Sequence, residues 1–384
     1  MSPAFSVVIP TYNRSDLLRQ AVESVLTQTL DDLEVVVSDN HSTDDTREVI
    51  GQFDDPRVRY VAPPQHMVLP DSWEFARKQA TGDLIMELSD DDALVTTALE
   101  HFVDANRRFG ADFLLCQMAE YRDANFPPEK ANTLEVPSYT GVTRATDPAA
   151  FIRGLMTFRP RFNTHPSGYV FERKLADTIA ARNDGRFFQT LGVEYFAWPV
   201  AAALSSGMAH IDLPLVVIGR TAKSWGTNMV LTNPGREKID QFLSDAVTTR
   251  KYTPLTNFTF NNLAIEGLLT AKAAFPDELE PFPLDYRAYV RVTREEFDRR
   301  AALGVDVSVE RAELDDFVAQ NPELAEPPPP EWRASRLRVL ASRVKRFPSR
   351  FTGHQERPRY LGKGDIDGFH DAAGAAKVLE QRIA

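Results

Sequence analysis

Four short apolar runs recur along the first quarter of the chain, and segments of helical periodicity separate them. Phe5–Ile9, Leu33–Val37, Val58–Val61 and Leu84–Leu88 read as buried strands. After the first, Leu17, Leu18, Ala21, Val22, Val25 and Leu26 recur at helical spacing behind Ser15 or Asp16, either of which can cap the helix. A second helix is expected from Thr43 or Asp44 through Phe53, and a third from Asp71-Ser72 to Gln79. Thr81-Gly82 ends the third, because glycine readily adopts the left-handed conformation that closes a helix. A fourth is expected over Leu94–Phe109. Strand and helix alternating at this spacing means βαβ units, hence an α/β fold with a mostly parallel sheet covered by helices on both faces. Ligands of such sheets bind beyond the carboxyl ends of the strands. Three of those ends carry polar loops, Thr11–Arg14, Asp39–Asp44 and Asp90–Asp92, and the topology gathers them along one rim.

The fourth strand ends in three consecutive carboxylates, Asp90, Asp91 and Asp92. Like charges in a row repel, so a cation is expected beside them, and hard divalent ions take carboxylate oxygens and share their shell with phosphate. Asp92 can alternatively cap the helix that follows. No Gly-rich dinucleotide fingerprint and no P-loop pattern follows the first strand.

The motifs, taken in order, resemble those of the family 2 glycosyltransferases with the GT-A fold. Pro10-Thr-Tyr-Asn-Arg14 resembles their opening motif, and Asp39-Asn-His-Ser-Thr-Asp44 their Asp-Asp-Gly-Ser-Thr-Asp loop. Trp73–Ala76, Ala80–Asp83 and Leu88-Ser-Asp-Asp-Asp92 resemble a branch whose metal motif reads Asp-Asp-Asp. The likeness covers residues 4–115 well and 116–220 loosely. It implies a nucleotide-sugar-binding half over 1–115 and an acceptor-binding half over 116–228. It also implies that Pro10, Thr11, Asn13 and Arg14 line the nucleotide pocket and that Asp39 accepts a hydrogen bond from the base. Asp91 would hold Mn²⁺ or Mg²⁺ bridging the donor diphosphate, with Asp90 and Asp92 flanking it: Asp90 on the donor sugar, Asp92 as a second ligand. The chain departs from the pattern at Ser89, where many relatives carry the first aspartate, and at Asn40-His41, which replaces Asp-Gly. His41 either meets the nucleotide or lies exposed on its loop.

In the second half, Ala111–Tyr121 continues the sheet, Thr146-Asp-Pro148 opens a helix, and His165–Phe171 resembles the family's small-residue strand beneath the acceptor. Relatives carry an acid after a Phe-Phe segment at a helix start, as general base. After Phe187-Phe188 the matching position is Glu194; it also reads as an ordinary first-turn acid favoured by the helix dipole. His165 is a lesser candidate. After a closing strand over Ile211–Val217, Arg220–Asn228 is a polar loop in which Lys223 and Arg220 would meet donor phosphates and Trp225 a sugar ring.

Residues 229–326 read as a helical extension, and 327–384 as a Pro-rich linker with a basic amphipathic tail. From Arg333 to Lys363 there are ten basic residues and one acid, against a net charge of −11 for the whole chain of 384 residues. Such a segment, centred on 332–350, either lies on an anionic membrane surface or docks on the acidic body; no aromatic stacking pattern points to nucleic acid. The one cysteine, Cys116, sits in an apolar run and reads as a structural thiol. With neither a secretory leader pattern nor a ~20-residue apolar stretch, the expected location is cytoplasmic, at most peripheral on the inner face of the membrane. The expected activity is inverting, metal-dependent transfer from a nucleoside diphosphate sugar, a UDP-sugar by preference, to a glycan or lipid-linked glycan. The alternatives are a nucleotidyltransferase, which the missing glycines of the first loop disfavour, and an inert GT-A scaffold that binds a sugar nucleotide or a partner, which Ser89 favours.

Overall fold

The computed structural model describes residues 3–126, 130–160, 162–221, 223–224, 251–256, 259–324 and 359–383. The expected alternation is present. Strand β1 (Phe5–Thr11), helix α1 (Ser15–Leu26), β2 (Leu33–Asp39), α2 (Thr46–Ile50), β3 (Val58–Val61), α3 (Leu69–Lys78) and β4 (Leu84–Glu87) follow in order. β1 runs parallel to β2 and to β4, and β2 parallel to β3. Every residue of β1, β2 and β4 is buried, as a parallel sheet covered on both faces requires.

The second half of the sheet is mixed. It comprises β5 (Ala93–Leu94), α4 (Ala98–Phe109), β6 (Phe113–Arg122), β7 (Thr133–Val136), β8 (Thr143–Thr146), α5 (Pro148–Met156), β9 (Tyr169–Glu172), α6 (Arg173–Ala181), α7 (Val193–Leu204) and β10 (Met208–Arg220). β9 lies antiparallel between β4 and β6, while β10 runs parallel along β6. The fold class read from the sequence, an α/β sheet flanked by helices with a helical C-terminal region, is what the chain adopts.

Local starts differ from expectation in three places. α2 runs only from Thr46 to Ile50, because Asp44 accepts from the Thr46 N–H at 3.1 Å ahead of the helix. α3 begins at Leu69 with Pro70 in its first turn, ahead of Asp71. α4 begins at Ala98, because Ala93-Leu94 pairs antiparallel with Val216-Val217 of β10 instead of extending the helix. At α5 the expected signal works directly: Asp147 accepts from the N–H groups of Ala149 and Ala150, at 3.0 and 3.2 Å.

The extension consists of α8 (Phe260–Ala274), α9 (Pro276–Leu279), α10 (Tyr286–Ala302) and α11 (Ser308–Gln320). Leu268 and Ala271 of α8, with Phe275 just after it, enter the main core, whereas Ile265 of α8 joins a second core with Tyr289, Val290, Phe297 and Leu314. Gly267 makes this contact close, since a Cβ there would stand 2.7 Å from the Tyr195 side chain. The expected helical stretch from 234 to 250 and the basic segment 332–350 lie outside the described residues.

Within the span expected as linker and tail, residues 359–383 return to the body. β11 (Tyr360–Lys363) adds an antiparallel edge to β7, α12 (Gly364–Asp367) follows, and α13 (Ala372–Ile383) packs on β10 and β5. Phe369, Ala375, Ala376 and Leu379 are part of the main core. The Tyr121 hydroxyl donates to the carbonyl of His370 at 2.6 Å.

Glu87, at the end of β4, is fully buried, and neither carboxylate oxygen has a hydrogen-bond partner among the described residues. Burial raises its pKa well above the ordinary value, opposed by Arg77 and reinforced by Glu74. A carboxyl whose folded pKa is raised is protonated in the native state and ionised when unfolded. Stability therefore falls as pH rises above the unfolded value near 4.5. The expected slope is about 1.4 kcal/mol per pH unit until the folded pKa is reached. Urea unfolding from pH 5 to 8 should show Glu87→Gln gaining on the wild type as pH rises; a variant that loses ground over that range would mean Glu87 is ionised in the fold.

Candidate active site at the strand-end rim

The parallel register of β1 with β2 and β4 carries their carboxyl ends to one edge, where the three loops interlock. Asn13 adopts a left-handed conformation with φ 55°, donates its N–H to Ser42 Oγ at 2.9 Å, and accepts from the Thr43 N–H at 2.7 Å. The N–H of Ser15, at the start of α1, donates to Asp44 at 3.1 Å. Both oxygens of Asp39 are engaged: Oδ1 by the Ser42 N–H at 2.8 Å and Oδ2 by the Tyr60 hydroxyl at 2.7 Å. Burial and Asp39 push the Tyr60 phenol up to about 12, so it stays a donor.

The Asn40-His41 departure is accommodated locally. His41 takes φ 64°, the left-handed conformation that the family's glycine would suit, and its Nε2 lies 2.8 Å from the carbonyl of Pro63. Asn40 and Met67 exchange two hydrogen bonds, of 2.8 and 2.9 Å. Tyr12 is 46% exposed, with its ring centroid 4.8 Å from that of His66. An aromatic surface thus stands open beside Asp39.

The three carboxylates are buried, at 0%, 8% and 1% exposure, and point in different directions. Asp90 Oδ2 accepts from the Thr11 hydroxyl at 2.7 Å, and Oδ1 pairs with Arg14 at 2.7 Å. Asp91 Oδ2 accepts from the Ser224 hydroxyl and lies 3.6 Å from Arg14. Asp92 accepts from the Gly219 N–H at 2.9 Å and from the Ser167 hydroxyl, with His165 Nδ1 at 3.4 Å. Burial raises the pKa of Asp90 to about 6, with Arg14 opposing and Asp91 reinforcing; burial and Asp91 raise that of Asp92.

Among the described residues no three carboxylate, imidazole or thiol groups converge as a ready-made cage. Asp91 nevertheless fits a hard divalent ion: it retains some exposure and its neighbours supply oxygen atoms. Asp92 is committed to Gly219 and Ser167, and so ties the turn to β10 and to the short 3₁₀ turn Pro166–Gly168.

Segment 164–167 also reaches α7. The Thr164 hydroxyl donates to the Tyr195 hydroxyl at 3.4 Å, and Trp198 Nε1 donates to the Thr164 carbonyl at 3.1 Å. Glu194 lies in the first turn of α7. Burial pushes its carboxyl up to about 7, opposed by its own N–H. The preceding Phe-Phe segment is held by Glu74 of α3, which accepts from the N–H groups of Phe187 and Phe188 at 2.8 and 3.0 Å. His165 is pushed down to about 4 by burial and Arg220, hence neutral at pH 7.

Lys223 pairs with Asp16 of α1 at 2.7 Å, and Arg220 with Glu120 at 3.2 Å, so both cations stand near the rim on acidic partners. Trp225 lies outside the described residues. Ser167, Gly219, Ser224 and Glu74 carry no role in the sequence reading. Their contacts with Asp91, Asp92 and Phe187 span 75 to 133 residues, and no local pattern announces them.

Comparison with known proteins places the first half of the chain. Residues 6–179 match the family model described as Glycosyl transferase family 2. A Campylobacter jejuni GalNAc(5)-diNAcBac-PP-undecaprenol beta-1,3-glucosyltransferase is 36% identical over 118 residues, 30% of this chain and 38% of that protein. An Escherichia coli UDP-Glc:alpha-D-GlcNAc-diphosphoundecaprenol beta-1,3-glucosyltransferase, WfaP, is 33% identical over 107 residues, 27% of this chain and 43% of that one. The chain thus spans less than half the length of these two relatives. Among solved structures, Staphylococcus aureus TarS 1–349 in complex with UDP-GlcNAc aligns over 83% of this chain and 89% of that one, with 16% identity and a TM-score of 0.47.

Gly219 is the tightest point of the site, because a Cβ there would overlap the carbonyl of Asp91. Gly219→Ala should push β10 off the carboxylate turn and destabilise the fold by about 1–3 kcal/mol. Gly207→Ala is the control, its Cβ meeting nothing closer than 3.7 Å. Urea unfolding of both variants checks this; equal stabilities would mean that the turn tolerates displacement.

Proposed function

We propose that this chain, whose residues 6–179 match the Glycosyl transferase family 2 model, is an inverting, metal-dependent glycosyltransferase that uses a nucleoside diphosphate sugar, a UDP-sugar by preference. The observation that carries the reading is the buried Asp90–Asp92 turn, set on one rim with the Asp39 loop and with Thr11 and Arg14. The base sits between Tyr12 and Asp39, and Pro10, Thr11 and Asn13 shape the wall around it. Asp91 is the carboxylate that holds Mn²⁺ or Mg²⁺. Asp90 orients the donor sugar, and Asp92, expected beside Asp91 as a ligand, chiefly holds the turn in place. Lys223 leaves Asp16 for the donor phosphates.

When bound, the ion neutralises the diphosphate as it leaves, without a proton. The chain's own residues do the rest. An acceptor hydroxyl attacks the anomeric carbon opposite the diphosphate, the anomeric C–O bond breaks, and Glu194 takes the hydroxyl proton. A single displacement of this kind inverts the anomeric centre. Glu194 suits the role because burial has already brought its carboxyl to about 7.

The two glucosyltransferases named above act on sugars linked to undecaprenol diphosphate, and we extend that acceptor class, a lipid-linked glycan, to this chain. No helix of the described residues is long and apolar enough to cross a membrane. Contact with such an acceptor then falls to the surface, and the basic segment 332–350 supplies charge of the right sign for an anionic leaflet. Truncation before this segment is a poor test, since it also removes the core residues Phe369 and Leu379. Replacing Arg336, Arg338, Arg343, Lys345 and Arg346 with Gln should abolish flotation with phosphatidylglycerol vesicles. Unchanged flotation would remove the membrane from the reading.

A thermal-shift panel of nucleotide sugars with Mn²⁺ should single out one nucleoside diphosphate sugar, and a panel without any shift would end the proposal. With the donor so identified, Glu194→Gln should lower turnover by ~10²–10⁴-fold and leave donor affinity within about threefold. Because the base acts ionised, wild-type kcat/KM should rise with pH and level off above about 7. That limb should vanish in the variant; an unchanged limb would assign the base elsewhere.

A further inference from the structure

Asp90 and Asp91 are adjacent, buried, and share one cation. Among the described residues both of their ion pairs are made by Arg14, from the loop after β1, whose side chain keeps 24% of its exposure. The geometry is that of a charge placed between two acids. Arg14 stands 2.7 Å from Asp90 Oδ1 and 3.6 Å from Asp91 Oδ2. Yet Arg14 meets only Oδ1 of Asp90, since Thr11 occupies Oδ2, so the guanidinium does not make the two-pronged fork that arginine forms with a permanent carboxylate partner. Thr11 holds the other oxygen of Asp90, and Ser224 holds the same Oδ2 of Asp91 that lies nearest Arg14, so the acids are fixed and the arginine is the movable member.

A divalent ion held by Asp91 would compete with this guanidinium for one carboxylate and be repelled by it. The repulsion is removed when a diphosphate arrives, because it gives both cations a shared partner. We propose that Arg14 is the resident counter-ion of the carboxylate turn, neutralising Asp90 and Asp91 in the absence of metal and moving onto the donor diphosphate when metal and nucleotide enter together. Arg14 thereby makes metal binding conditional on the nucleotide, and by reciprocity makes nucleotide binding conditional on the metal. The inference rests on Asp91 as the metal carboxylate of the proposed transferase, and it adds the rule by which that site is filled.

The test is Mn²⁺ binding followed by electron paramagnetic resonance of the free ion, with and without UDP, on the intact chain. Wild type should bind Mn²⁺ at least tenfold more tightly with saturating UDP than without it. In Arg14→Gln, binding of Mn²⁺ alone should strengthen at least tenfold and the UDP-dependent gain should shrink to about threefold or less. Mn²⁺ alone should also raise the melting temperature of this variant and leave that of the wild type unmoved. If Arg14→Gln does not fold, the charge-balanced double variant Arg14→Gln/Asp90→Asn replaces it, with the same tenfold gain expected for Mn²⁺ alone. No gain in whichever variant folds, beside a wild type that binds Mn²⁺ with UDP, overturns the role of Arg14 and leaves the transferase reading standing. A wild type that binds no Mn²⁺ even with UDP overturns the metal reading itself.

Discussion

Burying charge without losing the fold is the constraint on which this molecule turns. Ionised carboxylates are costly out of water unless each is paired or hydrogen-bonded, and the rim buries three in a row. The chain meets the constraint by giving each acid a hydroxyl partner of its own. Asp90 takes Thr11 and Arg14 from the end of β1, Asp91 takes Ser224, and Asp92 takes Ser167 and the Gly219 N–H. Three parts of the chain, near residues 11–14, 165–167 and 219–224, are thus bound to one turn. The same contacts that make the burial tolerable assemble the pocket.

That arrangement depends in turn on two unlike halves of one sheet. The parallel strands β1, β2 and β4 bring their loops to a common edge by register alone, for Thr11 lies beside Asp39. The antiparallel strand β9 then joins β4 to β6, so that the segment before it, His165–Gly168, enters the same edge from the opposite side. β10 closes the turn from above and is itself pressed down by α13 near the end of the chain. A helix around residue 375 therefore supports a contact at residue 92, which is why the last described segment is part of the main hydrophobic core rather than a tail.

Much of this was legible in the sequence, for physical reasons that also mark the limit. β1, β2 and β4 are covered on both faces, so they read as unbroken apolar runs. The polar loops at their ends stood out against that background, and Asp147-Pro148 announced α5 because capping is a local interaction. β5 escaped notice because two residues carry no period, and its identity comes from pairing with Val216 and Val217 more than 120 positions away. The return of residues 359–383 was hidden for a similar reason: a run of alanines such as Ala372, Ala373, Ala375 and Ala376 looks unremarkable until a close partner surface is known. Ser167 and Ser224 are ordinary loop serines by any pattern, and only the folded chain puts their hydroxyls on carboxylates.

The distribution of acids also separates two uses of burial. Glu74 and Glu296 are buried against backbone N–H groups and so serve as rigid clamps, one on Phe187 and Phe188, the other on Phe260 and Asn261. Among the described residues Glu194 meets no such donors besides its own N–H, and burial leaves its carboxyl near 7, where a proton can be taken and released. An acid that is buried without such donors is stabilised as the neutral acid and accepts a proton readily once ionised. Glu74 holds the segment that leads to Glu194, so the clamp and the candidate base form one unit. The fold invests hydrogen bonds in the first so that the second can do without them.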